Sequence, residues 1–161
     1  MAGGVGNCDE ARFGVDAMLG HLARVLRMLG FDTAYYRDEE DMHILARCLR
    51  ERRILITSDR GLHLLAKGWG LGSVLAPSGR FNVWEFAEEV VRTLKLEGCM
   101  KPFTRCPKCN GRMVKIHRDE LVGFVHPYVW NNHEYFAVCE ECGQIYWEGS
   151  HVRRIRRNLR L

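Results

Sequence analysis

Proline is scarce, at four in 161 residues, and no apolar stretch approaches the roughly 20 residues that a membrane-spanning helix needs. The first shortage sets aside collagen-like chains, and the second sets aside a helical membrane protein. With 47% hydrophobic and 27% charged residues, the chain has the composition of a folded globular protein, neither disordered nor mucin-like. The opening Met1-Ala2-Gly3-Gly4-Val5-Gly6-Asn7 lacks a basic stretch followed by an apolar one, so no secretory leader is expected. The expected location is cytoplasmic. Gly-x-x-x-x-Gly-Lys-Ser/Thr, a Gly-x-Gly-x-x-Gly after a strand, Gly-x-Ser-x-Gly and His-Glu-x-x-His are all missing. Phosphate-loop NTPase, dinucleotide-binding, serine-hydrolase and zincin chemistries therefore lack support.

Cysteine is what the chain has in abundance, seven in all. An odd number without an export signal argues against a disulfide framework, so Cys8, Cys48 and Cys99 are expected to be free thiols. Cys48 falls on an apolar helix face, where a thiol behaves as a small hydrophobe. The other four form two Cys-x-x-Cys pairs, Cys106-Pro107-Lys108-Cys109 and Cys139-Glu140-Glu141-Cys142, each followed closely by glycine, Gly111 and Gly143. Two residues between thiolates let a tight turn aim both sulfurs at one ion, and four thiolates close a tetrahedral zinc shell. The expectation is a structural Zn²⁺ held by Cys106, Cys109, Cys139 and Cys142 in a ribbon over residues 100–149. A closed shell leaves no position for an activated water. The seven histidines make no ligand spacing that competes.

Charge is unevenly spread. Residues 1–99 carry 13 basic against 14 acidic side chains, whereas residues 100–161 carry 11 against 6. Arg153, Arg154, Arg156, Arg157 and Arg160 crowd the last nine residues. An arginine-rich end suits a polyanionic partner such as RNA, although a solvated helix would look the same.

Residues 12–99 alternate strand and helix. Strands are expected at Arg12–Asp16, Phe31–Tyr36, Arg53–Thr57 and Ser73–Ala76. Helices follow each of them, one carrying Met18, Leu19, Leu22, Ala23, Leu26 and Leu29, another capped by Asp41 with Ile44, Leu45 and Cys48 on one face. A third carries Leu62, Leu64, Leu65 and Ala66, and a fourth is capped by Asn82 with Glu85 three positions on. The continuous apolar Ile54-Leu55-Ile56 implies a strand buried on both faces of a parallel sheet. The fold class is thus α/β, a three-layer sandwich with a parallel sheet at 12–99, then the ribbon, then a basic helix at 150–161 with Val152, Ile155 and Leu159 as its apolar stripe. No helix is expected within 100–149. The ribbon aromatics Phe124, Tyr128, Trp130, Tyr135, Phe136, Tyr146 and Trp147 are read as its own core, none singled out as a base platform.

In such sheets ligands gather at the carboxyl ends of the strands. Asp16 follows the first strand, Asp41 opens the helix after the second, and Asp59 follows the third. Three carboxylates at one sheet edge repel one another, and Mg²⁺ or Mn²⁺ would hold them together for phosphodiester hydrolysis. Helix capping by Asp41 and a simple turn role for Asp59 are the plainer alternatives.

The ordered set Phe13-Gly14-Val15-Asp16-Ala17-Met18-Leu19-Gly20-His21, Asp41-x-x-Ile44-Leu45-x-x-Cys48, Ile54-Leu55-Ile56-Thr57-Ser58-Asp59-Arg60, the two cysteine pairs and Tyr146-Trp147-Glu148-Gly149-Ser150-His151 resembles the Mut-seven C-terminal ribonuclease domain family. The likeness spans about residues 12–158. It implies a PIN-like nuclease fold with a zinc ribbon and a metal-dependent ribonuclease with Asp16, Asp41 and Asp59 as its acids. PIN nucleases often add a fourth acid after the fourth strand, but Ser78-Gly79-Arg80-Phe81-Asn82 offers none. RNA contacts are expected from Arg24, Arg60, Arg153, Arg154, Arg156 and Arg157. The alternative function is a non-catalytic RNA-binding adaptor on the same fold.

Overall fold

A computed structural model describes residues 7–158. The opening residues 1–6, Leu159 and Arg160 lie outside the described residues, as do the side chains of His151 and Ile155, so the leader reading and much of the C-terminal stripe go untested. Four parallel strands, β1 (Arg12–Asp16), β2 (Asp32–Tyr36), β3 (Ile54–Thr57) and β4 (Ser73–Leu75), form one sheet in the order β2-β1-β3-β4. Each is followed by a helix: α1 (Gly20–Met28), α2 (Asp41–Glu51), α3 (Arg60–Gly68) and α4 (Val83–Thr93).

The strand alternation sorts the side chains into two layers. Phe13, Val15 and Ile56 pack with Leu22, Leu26, Phe86, Val90 and Val91 under α1 and α4. Tyr36 and Leu55 face the other way, among Ile44, Leu45, Cys48, Leu62 and Ala66 of α2 and α3. Adjacent Leu55 and Ile56 are thus buried on opposite faces, which is why β3 reads as an unbroken apolar run. Gly14 leaves room for this second layer, since a Cβ there would come within 2.7 Å of both Cys48 Sγ and the Tyr36 ring.

The C-terminal part is an antiparallel sheet of β5 (Met113–His117), β6 (Tyr135–Cys139) and β7 (Ile145–Tyr146), with a short helix α5 (Pro127–Asn132) between β5 and β6. Helix α6 (Ser150–Asn158) follows.

The local differences from the sequence reading have identifiable causes. Residues Ala17–Leu19 form a 3-10 turn, which swings Met18 out to solvent while Leu19 stays buried. Leu64 and Leu65 are exposed because α3 covers the sheet with one narrow stripe of Leu62 and Ala66. Glu40, not Asp41, occupies the N-cap of α2, so the capping role expected of Asp41 is not realised. Helix α5 lies where none was expected: Pro127 starts it and the His126 ring accepts the Tyr128 N–H, a start built by local chemistry without apolar periodicity. Asn82 does cap α4 as its spacing with Glu85 implies, accepting both the Trp84 and the Glu85 N–H.

The largest correction concerns the single cysteines. Cys8 and Cys99 are joined by a disulfide across 91 residues, while Cys48 alone of the three is a buried free thiol. Parity of the count does not report this pairing, because a bond that brings two distant segments together is a tertiary fact.

Candidate functional site

Parallel pairing lines up the strand ends. Asp16, the last residue of β1, stands level with Tyr36 on one side, and the β1–β3 register that pairs Val15 with Ile56 sets it beside Thr57 on the other. Asp59 lies two residues beyond the end of β3, and Asp41 opens the helix that follows β2. All three acids therefore belong to the carboxyl side of the sheet, at or after the ends of neighbouring strands, as the alternation of elements requires.

A hydrogen-bond relay organises this edge. Asp16 Oδ1 accepts the Ala17 N–H at 2.7 Å, and its Oδ2 accepts the Thr57 hydroxyl at 2.8 Å. The same hydroxyl oxygen accepts the Asp59 N–H at 3.0 Å, and Asp59 Oδ1 caps α3 by accepting the Leu62 N–H at 3.0 Å. Thr57 is wholly buried and ties the two acids into one unit. Its only sequence signal is a hydroxyl ending an otherwise aliphatic strand. Asp41 and Asp59 are exposed and Asp16 half-buried. Beside them Arg60 opens α3 and, with Ser58, Ala76, Pro77 and Ser78, lines a cleft of about 340 Å³. Arg24 is exposed on α1.

The opposite edge of the sheet carries the cysteines. Cys106, Cys109, Cys139 and Cys142 bring their sulfurs within 4.8 Å of one another, and among the described residues no other group of three or more His, Cys, Asp or Glu does so. The three aspartates are thus not drawn together as the thiols are. Cys106 and Cys142 are 3.7 Å apart, Cys109 and Cys139 3.4 Å. A tetrahedral zinc with bonds of ~2.3 Å needs sulfurs about 3.8 Å apart, so the quartet fits such an ion. The turns are made by N–H donors aimed at sulfur, Gly111 to Cys109 and Cys142 to Cys139, both at 3.4 Å. Gly111 is needed for space, because a Cβ would reach 3.0 Å from Cys139 Sγ. Gly143 is needed for its left-handed φ of 72°.

The thiols are electrostatically unlike. Burial would push Cys106 up, but the Tyr146 hydroxyl, the backbone N–H groups of Cys109 and Lys108, and Cys142 hold it down at about 7. Burial and the neighbouring sulfurs push Cys109 up to about 12. Four thiolates so close cannot coexist without a cation, and a divalent metal removes the conflict.

This knuckle is strapped to the amino edge of the sheet by residues outside the expected site. Buried Arg27 donates to the Thr33 carbonyl at 2.9 Å and to the carbonyls of Pro107 and Lys108 at 3.1 and 3.3 Å. Asn110 Oδ1 accepts the Thr33 N–H, and its amide donates to Asp32 Oδ1 at 2.8 Å. Asp32 also receives Arg53 at 2.9 Å. Burial would raise the Asp32 carboxyl, but the hydrogen bonds from Arg53 and Asn110 outweigh it and hold the group below the usual carboxylate range. The one available signal was Arg27 itself, four residues from Ala23 in an apolar helical stripe, where a charge needs a partner.

At the C-terminus Arg153, Arg154, Arg156 and Arg157 are exposed and Val152 half-buried, with Arg156 3.8 Å from Glu148.

Comparison with known proteins adds the ancestry. Residues 11–159 match the model of the Mut7-C RNAse domain. The chain belongs to the Mut7-C RNAse domain family. It is also similar to the exonuclease mut-7 homolog of Homo sapiens, 33% identical over 109 residues, which is 66% of this chain and 12% of that protein. The chain therefore spans about an eighth of the length of the curated relative that it matches. The family and the relative are both named for nucleases, and the chain adds to its α/β sheet a cluster of four cysteines that could hold a metal ion. No described helix is long and apolar enough to cross a membrane.

Proposed function

We propose that this Mut7-C domain is a Mg²⁺- or Mn²⁺-dependent ribonuclease acting at the carboxyl edge of the sheet, with Zn²⁺ in the cysteine quartet as a purely structural ion. The observation that carries the reading is the relay Asp16–Thr57–Asp59, which fixes two carboxylates at adjoining strand ends beside the Arg60 cleft. Hard oxygen donors of this kind suit Mg²⁺ or Mn²⁺, and Asp16, Asp41 and Asp59 would hold the ion. When bound, such an ion supplies a nucleophilic hydroxide and stabilises the leaving oxygen. The protein's part is to orient Asp16 through Thr57, to place Asp59 through its cap on α3, and to offer Arg60 and Arg24 to the phosphates. Arg153, Arg154, Arg156 and Arg157 would add sequence-independent RNA affinity. The reading includes a division into an α/β unit at 12–99, a ribbon at 100–149 and the basic helix, and a cytoplasmic location.

One observation favours the adaptor alternative. The three carboxylates do not gather within 4.8 Å, and two of them already serve as caps. Cleavage of a panel of single-stranded RNAs in Mn²⁺ decides between the two. The nuclease reading expects turnover that falls at least about a hundredfold in Asp59→Asn, the loss of several kcal/mol of metal-borne stabilisation. RNA binding with no cleavage in either metal would leave the adaptor.

A further inference from the structure

The ribbon sheet and α6 enclose an open groove of about 490 Å³, lined by Phe103, Lys115, Tyr135, Tyr146, Trp147 and Arg156 among others. Its aromatic rings are not all spent on a core. Tyr135 is 46% and Trp147 41% exposed, although Trp147 keeps an edge contact with Phe136. The cations are already set against rings, Lys115 Nζ 4.0 Å from the Tyr135 centroid and Arg156 5.9 Å from that of Phe103. The lone carboxylate in the lining, Glu148, is matched by Arg156. Exposed rings alternating with cations, beside a helix that turns four arginines outward, describe a surface for flat aromatic groups on a polyanionic chain.

We infer that this groove is a base-stacking site for single-stranded RNA, with Tyr135 and Trp147 as the platforms and Lys115 and Arg156 reading the phosphates. The inference rests on the RNA reading above and deepens it. Stacking on an aromatic side chain tolerates any base, because every base has a π-face, so the groove would hold RNA without regard to sequence. Its position also matters. Phe103 donates its N–H to the Met28 carbonyl at the far end of α1, whereas Asp16 precedes the 3-10 turn Ala17–Leu19 that leads into that helix. The nine residues of α1 alone span roughly 13 Å, so the groove and the acids belong to opposite ends of that helix. The groove would therefore anchor a strand whose other part reaches the carboxyl edge, and long RNAs should bind better than short ones.

The test uses the full chain with its metal, and fluorescence anisotropy with two labelled decamers, oligouridylate and an abasic ribose-phosphate chain of equal length. Wild type should prefer the decamer with bases. Tyr135→Leu and Trp147→Leu should each weaken oligouridylate binding at least about fivefold and leave abasic binding unchanged. Lys115→Gln should weaken both decamers and lower the salt slope by about 0.7. Trp147→Phe, which keeps a ring, should retain most of the affinity, and it guards against a Trp147→Leu variant that merely unfolds. Equal binding of the two decamers by wild type would overturn the inference and leave the groove to a protein partner. Unchanged affinity in Tyr135→Leu with unchanged circular dichroism would overturn it too, while leaving the RNA reading standing. Failure of wild type to bind any RNA would bring down the reading itself.

Discussion

At the scale of single residues, the decisive side chains are polar groups that no motif announces. Thr57 couples two acids through one hydroxyl, and Asp32 couples two halves of the molecule through Arg53 and Asn110. Asp32 has a testable pH signature. Its carboxyl is held below the ordinary value in the folded protein, so its stabilisation is complete above the unfolded value of ~3.9 and drains away as pH falls through the lower folded value. Asp32→Asn should lower stability by about 1–3 kcal/mol at neutral pH, as expected for hydrogen bonds to a charged group. It should also flatten the acid limb of a stability-against-pH curve from urea melts. Glu51, likewise held down by its hydrogen bond from Arg53, keeps part of that limb in the variant.

At the scale of elements, the four-thiol knuckle and the α/β sheet are not independent. The turn at Cys106–Asn110 is the acceptor of Arg27 and the donor to Asp32, so its shape sets the packing of α1 against the start of β2. Gly30 confirms how tight this joint is: its φ is +96°, and a Cβ would strike the Lys101 carbonyl. Removing the metal should therefore do more than unfold β5–β7. Chelation, or Cys109→Ser, should release about one zinc per chain and unfold the ribbon. It should also expose the amides of Thr33 and its neighbours to hydrogen exchange, because buried Arg27 loses two acceptors. Protection at Thr33 that survives complete metal loss would show the two elements to be uncoupled.

At the scale of the whole molecule, the Cys8–Cys99 bond closes nearly the entire α/β unit into one loop. Cross-linking over ~90 residues restricts the unfolded chain and is worth about 2–4 kcal/mol. The oxidised protein should melt several degrees higher than the reduced one, and Cys8→Ser should remove that difference without shifting the reduced melting point. The cysteine quartet and the three aspartates lie at opposite edges of one sheet, so loss of metal from the first should reach the second only through the body of the fold.

What the sequence by itself determined is whatever depends on periodicity and short spacing. Two apolar layers follow from period-two strands and amphipathic helices, and the three acids share an edge because parallel strands must all end on the same side. The two Cys-x-x-Cys turns follow from a two-residue spacing that lets a tight turn aim both sulfurs of a pair at one point. What only the tertiary structure decided is everything carried by pairs distant in the chain. Cys8 finds Cys99, Arg27 finds Pro107 and Lys108, Asp32 finds Asn110, and Tyr135 and Trp147 keep faces in solvent that their hydrophobicity alone would bury. The physical reason is that a local pattern reports which face of an element is apolar, whereas a polar or covalent partner is chosen by where the folded chain brings it.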